Sequence, residues 1–392
     1  MVLLYRNFPI FAIILTFFLQ CGAIPTENPC DPSSDTFFKD QLIKYLLNDT
    51  SSSCSFAANE CGVLKQGESA KIVLGQPDFT SNTLGTGINQ VGASGFALDH
   101  QGGAWVSDGN YDRVMHFSAP LRTNQNADII LTTGTSTVPR AIAVDANGGL
   151  WVTLSLGDSV LHYPAGMNSS TPSDITLGTG TGSTTQNTMN NPFGVSVDSG
   201  GGVWIADYFN SRVLHYSPPL TSGMNADIVL GQADFISYGG GTAVNRMVNP
   251  FGVGVDPSGH VWVADTGNHR ILRFTPPFST GMNADLVLGQ PDFVTAASAT
   301  TQVNLSNPNG VSFAANGAVW VADNGNQRAI RFSPPFLSGQ AADNVLGEPD
   351  FVTRNSTMTI SDKLIGSTPA VAVAPCGVWV ADSPNYRVLF FP

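Results

Sequence analysis

An aspartate followed five residues later by an arginine recurs five times along the chain. A carboxylate and a guanidinium at this spacing can act as charged catalytic groups, or they can hold two strands together by charge-assisted hydrogen bonds. In a further copy of the same stretch, Leu154 and Ser159 replace both partners. Because the partners are lost together, we interpret the pairs as structural contacts within hairpins. They are Asp108 with Arg113, Asp207 with Arg212, Asp265 with Arg270, Asp323 with Arg328, and Asp382 with Arg387.

A second group of aspartates ends a predicted strand in four copies, and each is followed three residues later by glycine. Aspartate at the first and glycine at the fourth position are typical of a type I turn, so we expect turns here. Carboxylates are also the ligands that Ca²⁺ prefers, which leaves a cation site at the mouth of a central channel as the alternative. The four residues are Asp99, Asp145, Asp198 and Asp256.

The histidines do not form a metal-binding pattern. Three of them share one repeated position and are expected on an outer face, because other copies have arginine or phenylalanine there. The chain contains no phosphate-binding glycine loop, no Gly-x-Ser-x-Gly turn and no His-Glu-x-x-His motif. We therefore assign no catalytic residue and no cofactor, with calcium or zinc left open. The position holds His116, His162, His215, Arg273, Arg331 and Phe390.

Six tryptophans mark the repeat that positions these residues. Successive tryptophans are 46, 53, 58, 58 and 59 residues apart, a period typical of propellers and solenoids. Each copy holds four short strand-like runs. The first run alternates small with large apolar residues, which suits blades wedged around an axis with the bulky face of one on the thin face of the next. The tryptophans are Trp105, Trp151, Trp204, Trp262, Trp320 and Trp379.

The offset of the fourth run indicates a closed ring. This run, 286–293 in one copy, also occurs as 72–79 ahead of the first complete unit, while the chain stops at Pro392 after a third run. The N-terminal strand 72–79 can thus complete the last blade and remove an exposed sheet edge. The second and third runs are joined by Thr266-Gly267-Asn268-His269, which predicts a tight hairpin. The predicted fold is all-β, a six-bladed propeller of four-stranded antiparallel blades.

The stretches Asn249–Asp256 (NPFGVGVD) and Val261–Phe274 (VWVADTGNHRILRF) resemble the NHL repeat. The resemblance covers about residues 72–392 and implies a six-bladed β-propeller. It implies no single function, because the family includes extracellular and cytoplasmic proteins, lyases, and adhesion or RNA-binding modules. Its peptidyl-hydroxyglycine amidating lyases use a histidine-ligated metal in the channel, and the histidine spacing here does not reproduce that set.

The N-terminus predicts export. Residues 1–23 combine one positive charge, an apolar run and small residues before a cleavage point, which is typical of a signal peptide. We assign 24–70 to an extension with a short helix and 71–392 to the propeller. The four remaining cysteines, an even number in an oxidising compartment, predict two disulfides, at least one of which joins the extension to the last repeat. They are Cys30, Cys54, Cys61 and Cys376.

Four Asn-x-Ser/Thr triplets are acceptors for N-glycosylation if the protein is exported by a eukaryotic cell. Such triplets also arise by chance in a chain rich in Asn, Ser and Thr. The acceptors are Asn48, Asn168, Asn304 and Asn355.

The charge and hydropathy of the chain exclude some classes of partner. The net charge is −12 and only 12% of residues are charged, so no basic patch for nucleic acid is expected. No segment after the signal is apolar enough to span a membrane.

Long and dissimilar inter-blade loops on a rigid scaffold are where recognition is expected. All five should emerge on one face of the propeller. The sequence therefore predicts a secreted, extracellular binding module that recognises a protein or a glycan, with a metal-dependent lyase or hydrolase at the channel mouth as the alternative. The loops are 80–93, 181–190, 236–248, 294–306 and 352–367.

Overall fold

The computed structural model describes residues 64–354, 360–363, 365–367 and 370–392. In this part of the chain, 24 strands form six antiparallel sheets of four strands. In chain order the strands are β1 Ile72–Leu74, β2 Ala93–Leu98, β3 Ala104–Asp108, β4 Arg113–Phe117, β5 Ile129–Thr132, β6 Pro139–Val144, β7 Leu150–Leu154, β8 Ser159–Tyr163, β9 Ile175–Leu177, β10 Pro192–Val197, β11 Val203–Asp207, β12 Arg212–Tyr216, β13 Ile228–Leu230, β14 Pro250–Val255, β15 Val261–Asp265, β16 Arg270–Phe274, β17 Leu286–Leu288, β18 Pro308–Phe313, β19 Val319–Asp323, β20 Arg328–Phe332, β21 Asn344–Leu346, β22 Val371–Ala374, β23 Gly377–Asp382 and β24 Arg387–Phe391.

The six sheets are the blades of a β-propeller, as the sequence predicts. Blade 1 is β2–β5, blade 2 is β6–β9, blade 3 is β10–β13, blade 4 is β14–β17, and blade 5 is β18–β21. Blade 6 combines β22, β23 and β24 with β1 from the start of the described chain. Neighbouring blades are in contact all the way round, including blade 6 with blade 1 through β22 and β2.

The ring closes through the N-terminal strand. Val73 pairs with Leu389 in the register of β1 and β24, so the two ends of the propeller share one sheet. The next blade adds a second connection, since the backbone nitrogen of Asn124 donates to the Val73 oxygen over 3.3 Å. The same contact recurs elsewhere, for instance from Gly281 in blade 4 to Val229 in blade 3. The last blade therefore joins its neighbour in the same way as the internal blades.

The small residues of the first strands let adjacent blades approach closely. A Cβ added at Gly252 would overlap the backbone oxygen of Asn309, and one added at Gly254 would lie 2.9 Å from side-chain atoms of Phe313 and Val311. These neighbours belong to the next blade. The thin face of one blade thus packs against the bulky face of the next, as the period-2 alternation predicts.

The core lies between the blades. Each apolar cluster combines second, third and fourth strands of adjoining blades, and the six tryptophans are 0–5% exposed. The tryptophan of each second strand lies opposite the variable third-strand position in the register, as Trp204 does with His215. The tryptophans are therefore part of the scaffold.

One local prediction was wrong. The fourth strands are only three or four residues long, because a glycine with positive φ ends five of the six, as Gly289 does after β17 at +87°. The turn between second and third strands is a tight hairpin connection, as predicted. In four blades it is a single 3₁₀ turn followed by a left-handed residue such as His269, with φ +55°. The 3₁₀ turns are Tyr208–Asn210, Thr266–Asn268, Asn324–Asn326 and Ser383–Asn385.

Several N-terminal predictions lie outside the described residues, namely the signal peptide and most of the extension 24–70. Its last residues, 64–70, belong to the compact unit Val63–Pro392. There the side chain of Gln66 donates to the Pro349 oxygen over 2.9 Å, and Ala70 lies in the core next to blade 6. Among the described residues, no helix has the length and apolar character needed to cross a membrane.

Candidate functional site

The propeller has two faces that differ in the connections they carry. Because the strands of each blade alternate in direction, the turns between second and third strands leave at the same end as the inter-blade loops. We call this end the loop face. The connections between first and second strands and between third and fourth strands leave at the other end, which we call the opposite face. The five loops named from the sequence all start and end on the loop face.

The aspartate–arginine pairs lie just beneath the loop face. Arg270 Nε donates to Asp265 Oδ2 over 2.7 Å, and both side chains are fully buried. The other four predicted pairs have the same contact at 2.7–2.9 Å. A buried aspartate normally has a high desolvation cost, and burial raises the pKa of Asp207 and of Asp265 to about 6 even though the arginine beside each lowers it.

The arginines of these pairs hold the inter-blade loops. Arg270 donates to the backbone oxygens of Thr242 and Arg246 in one loop and of Phe293 in the next. Arg212, Arg328 and Arg387 make the equivalent bonds, and Arg113 makes those to its preceding loop. Blade 2 has Leu154 and Ser159 instead of the pair, and the connection that precedes it, 133–138, is the short one. The pairs therefore accompany the long loops and bind their backbones.

A buried asparagine belongs to each of these supports in four blades. Asn268 Nδ2 donates to Asp265 Oδ2 over 2.8 Å and to the Gly241 oxygen over 2.9 Å. The sequence reasoning missed these residues, although the recurrence of asparagine two residues before the arginine was a visible signal. They are Asn210, Asn268, Asn326 and Asn385.

The aspartates considered for a cation site form turns on the opposite face. Asp99 Oδ1 accepts hydrogen bonds from the backbone nitrogens of Gln101 and Gly103, both at 2.7 Å. Asp145, Asp198 and Asp256 repeat this pattern. Each of these four aspartates makes its turn contacts within a single blade. Throughout the described residues, no group of three or more His, Cys, Asp or Glu side chains is arranged to hold a metal ion.

Three histidines sit between two carboxylates each. His215 contacts Asp198 Oδ2 through Nε2 at 3.2 Å and Asp227 Oδ1 through Nδ1 at 2.8 Å. Its ring lies 4.3 Å from that of Trp204. His116 and His162 have the same surroundings in blades 1 and 2. We expected an outer position, but these side chains are largely buried, because each covers the tryptophan of its own blade.

Where blades 4 and 5 carry arginine at this position, the carboxylate is retained. Arg273 pairs with Asp285 over 2.6 Å and Arg331 with Asp343 over 2.7 Å, each above a tryptophan. Phe390 covers Trp379 in blade 6. The side chain at this position therefore covers the tryptophan in all six blades.

The remaining predicted residues are scattered. Asn168 is exposed on the opposite face, and Asn304 is half-buried in an inter-blade loop with its side-chain oxygen accepting from Thr301. Cys376 lies between β22 and β23. Asn48, Asn355, Cys30, Cys54 and Cys61 lie outside the described residues, so two of the glycosylation sites and the pairing of the cysteines stay predictions.

Exposed apolar side chains are concentrated on the loop face. Of the nine large apolar side chains that are exposed in the described chain, eight lie in inter-blade loops or in second-to-third-strand turns. Only Leu337 lies in a connection of the opposite face. The eight are Leu84, Ile88, Leu156, Phe209, Ile236, Tyr238, Val294 and Val352.

The loop-face mouth of the central channel carries an aromatic cluster. Phe193 and Phe251 stack with ring centroids 4.4 Å apart, and Tyr208 meets Phe193 edge-on at 4.6 Å. The guanidinium of Arg140 lies over Phe193, 5.1 Å from its ring centroid. Below this cluster an axial cavity of about 90 Å³ is lined by residues of all six first strands, none of them charged.

The sequence reasoning missed this cluster. Apart from Tyr208, which lies in a turn, its members stand at one strand position of different blades, where the residue changes from copy to copy while the rest of the strand repeats. That variability was the available signal. The position holds Ser94, Arg140, Phe193, Phe251 and Asn309 in blades 1 to 5.

Sequence comparison identifies the repeat. The NHL repeat family matches residues 248–274 and 305–328, which lie in blades 4 and 5 and the loops that precede them. No curated protein sequence matches the chain significantly.

Solved structures agree on the fold. An auxiliary nutrient binding protein from Bacteroides ovatus shares 13% identity, with 83% of this chain and 76% of that chain covered and a TM-score of 0.57. A protein of unknown function from Bacteroides thetaiotaomicron shares 12% identity, covering 81% and 74%, with a TM-score of 0.56. A streptogramin B lyase shares 11% identity, covering 79% and 95%, with a TM-score of 0.50. At these identities the similarity is one of fold.

Proposed function

This six-bladed β-propeller of NHL repeats is, we propose, a secreted interaction module whose loop face binds an extracellular protein or glycan. The observation that carries the proposal is the placement of the exposed apolar side chains, eight of nine on one face. Exposed apolar groups cost free energy in water and are gathered where a partner covers them. The opposite face, with its aspartate turns and carboxylate-paired side chains, offers one such residue.

The support beneath the loops favours recognition. The fully described long loops are held by hydrogen bonds from a buried arginine to their backbones, so their shape is set before a partner arrives. A preorganised surface loses less conformational entropy on binding than a flexible one. Loops that differ in sequence but share one anchor are suited to binding a single specific partner.

The binding face is tested by substituting exposed side chains only. Replacing whole loops is unsuitable, because segment 242–247 supplies the carbonyls that hold Arg270 and the buried Met247. Ile236, Tyr238 and Val294 are instead changed together to serine. All three are 67–70% exposed, so the fold should be retained. Leu337→Ser on the opposite face is the matched control, since Leu337 is also 70% exposed.

The readout is capture of extracellular proteins and binding to a glycan array by the purified protein. We expect the triple variant to lose at least ten-fold in affinity for whatever partner the natural protein and Leu337→Ser both retain. Equal binding by all three proteins would place recognition elsewhere. Binding that is retained on the array but lost for proteins, or the reverse, identifies the class of partner.

Secretion is tested separately. The full chain, expressed with its own N-terminus in a secreting cell, should appear in the medium with a new N-terminus near residue 24. Retention inside the cell with Met1 present would contradict this part of the proposal. Mass analysis before and after glycan removal would show which of Asn168 and Asn304 carries a glycan; we expect Asn168, because it is exposed.

The metal content of the mature protein distinguishes the module from a metal-dependent lyase. The described residues offer no set of ligands, and the axial cavity is lined by uncharged residues. We expect no stoichiometric metal after purification. One zinc or calcium ion per chain, retained through dialysis, would favour the enzyme.

A further inference from the structure

Among the described residues, Arg140 has no aspartate partner, unlike seven of the other arginines that the structure buries wholly or in part. Arg246 also lacks one, but its Nη1 donates to Gln232 Oε1. The five arginines under the loops each pair with an aspartate, and Arg273 and Arg331 each pair with one on the opposite face. Arg140 has only one hydrogen bond in the described chain, from Nε to Ser155 Oγ at 3.4 Å. Burial alone lowers its pKa, with no carboxylate acting on it. A half-buried cation without a counter-charge is a costly arrangement in a chain of net charge −12.

The position of Arg140 does not follow from the repeat. Equivalent residues in the other blades are Ser94, Phe193, Phe251 and Asn309, so the fold is compatible with small, aromatic and amide side chains there. All five stand where their first strands enter the channel from the loop face. A charge that the scaffold does not need, at the mouth of the channel, is a candidate for ligand binding.

An aromatic surface lies directly beside the guanidinium. Phe193 stacks between Arg140 and Phe251, and Tyr208 packs edge-on against it. The exposed ring of Phe209 lies 5.1 Å from that of Tyr208 and extends the surface outward. Blades 4 and 5 have Thr266-Gly267 and Asn324-Gly325 at the turn positions of Tyr208 and Phe209. The aromatic cluster is thus particular to one side of the mouth, the side that also holds Arg140.

We propose that the loop-face mouth of the channel binds a carboxylate joined to a ring. The two Nη atoms of Arg140, which have no hydrogen bond within the described residues, receive the carboxylate in a bidentate pair. The ring of the ligand packs on Tyr208 and against the edges of the Phe193 and Phe251 rings, because the two faces of Phe193 are covered by Arg140 and Phe251. Stacking on Phe193 holds the guanidinium in place, so little of its side-chain entropy is lost when the carboxylate binds.

Two sources share this chemistry, an aromatic acid and the uronic acid unit of a glycan. Aromatic side chains stack on either an aromatic ring or the C–H face of a sugar. The inference rests on the proposed function only in taking the same face as the binding face. It names the ligand chemistry of the mouth, and it can fail while the exposed loop residues still bind a partner.

Isothermal titration of the mature protein with phenylacetate and with glucuronate tests the proposal. Phenylacetamide and glucose are the neutral counterparts. We expect at least one of the two acids to bind, and its neutral counterpart to bind at least ten-fold more weakly. Binding of phenylacetate identifies an aromatic acid as the ligand, and binding of glucuronate identifies an acidic sugar. Failure of both acids to bind would overturn the proposal, and so would equal binding of acid and neutral counterpart.

Variants locate the site. Arg140→Gln should weaken binding of the acid at least ten-fold, and Arg140→Lys should weaken it less, because lysine keeps the charge but not the fork. Arg122→Gln is the matched control, since it removes the same charge from an exposed position on the opposite face. Thermal melting of each variant shows that it is folded. Loss of binding in both arginine-to-glutamine variants would indicate a general charge effect and overturn the assignment.

The proposed function is kept distinct by measuring the same variants against the loop-face partner. If the Arg140→Gln variant still binds the partner but no longer binds the acid, the protein has two separable sites. The mouth site alone would be overturned if the natural protein bound neither acid while the Ile236, Tyr238 and Val294 triple variant still lost the loop-face partner.

Discussion

Arg270 Nε donates a hydrogen bond to Asp265 Oδ2 over 2.7 Å, and neither side chain is exposed to solvent. Removing one partner leaves the other charge buried, which costs about 3–5 kcal/mol, whereas removing both avoids that penalty. Blade 2 shows the double replacement, Leu154 with Ser159. We therefore expect Asp265→Leu alone to lower the free energy of unfolding by about 3–5 kcal/mol, and Asp265→Leu with Arg270→Ser to lower it by less.

Urea unfolding measures these free energies, and limited proteolysis gives a second readout. The double variant should be cleaved faster within 236–246, because Arg270 no longer holds the backbone oxygens of Thr242 and Arg246. If the double variant is less stable than both single variants, the two partners do not act as a compensating pair.

The same pair predicts a pH dependence. Burial raises the pKa of Asp265 to about 6 from its ordinary 3.8, so the folded protein holds this proton more tightly than the unfolded chain does. The contribution of the group to stability is then full below about pH 4 and is lost as the pH rises through about 6. Relative to the double variant, the natural protein should lose about 1–3 kcal/mol of unfolding free energy between pH 4 and pH 7. A difference that stays constant over this range would contradict the raised pKa.

The effect of a substitution at His215 on stability should depend on whether the new side chain still covers Trp204. Blades 4 and 5 have arginine at the equivalent position, paired with an aspartate over 2.6–2.7 Å. His215→Arg can keep both the pairing with Asp227 and the stacking, so its free energy of unfolding should change by no more than about 0.5 kcal/mol. His215→Ala uncovers the tryptophan and removes one hydrogen-bond partner from each of two carboxylates, and should cost about 1–2 kcal/mol. Equal effects of the two substitutions in urea unfolding would argue against this role.

Two glycines, one on a first strand and one in an inter-blade loop, should respond very differently to alanine. A Cβ at Gly252 would overlap the backbone oxygen of Asn309 in the next blade, which cannot move without shifting a strand. Gly239, in an inter-blade loop, has no atom within 4 Å of the added carbon. Thermal unfolding should show a loss of about 1–3 kcal/mol for Gly252→Ala and less than about 0.5 kcal/mol for Gly239→Ala. Similar melting temperatures would show that the blades are not closely packed there.

Closure of the ring should depend on β1. A chain that begins at Ser81 lacks the partner of β24 and exposes the edge of blade 6, so it should aggregate or melt at a lower temperature. A peptide of residues 70–80 added in excess should pair with that edge and restore the melting temperature, at least in part. The same peptide with Ile72→Pro is the control, because Ile72 faces Phe390 of β24 and proline removes its backbone donor, whereas the Val73 N–H donates to Thr123. No difference between the two peptides would mean that β1 does not act by pairing.

Much of the fold could be predicted from the sequence, because it depends on local periodicity that recurs six times. The alternation in the first strands and the Trp-Asp-Arg order of the hairpins each reflect one blade, and repetition makes the pattern visible. The early copy at 72–79 predicted closure by β1 for the same reason. The length of the fourth strands was predicted less well, since the left-handed conformation of Gly289 is a property of the backbone in its setting.

Much less of the candidate site than of the fold could be predicted from the sequence. The sequence by itself determined the number of blades, the course of the chain within each blade and the position of the variable loops, because neighbours along the chain decide these. Only the tertiary structure decided that Arg140 stacks on Phe193, because these residues are brought together by the packing of two blades around the axis. The burial of His215 between Asp198 and Asp227 was decided in the same way. Contacts of this kind depend on side-chain direction and on packing across the sheet and between the blades, which spacing along the chain does not encode.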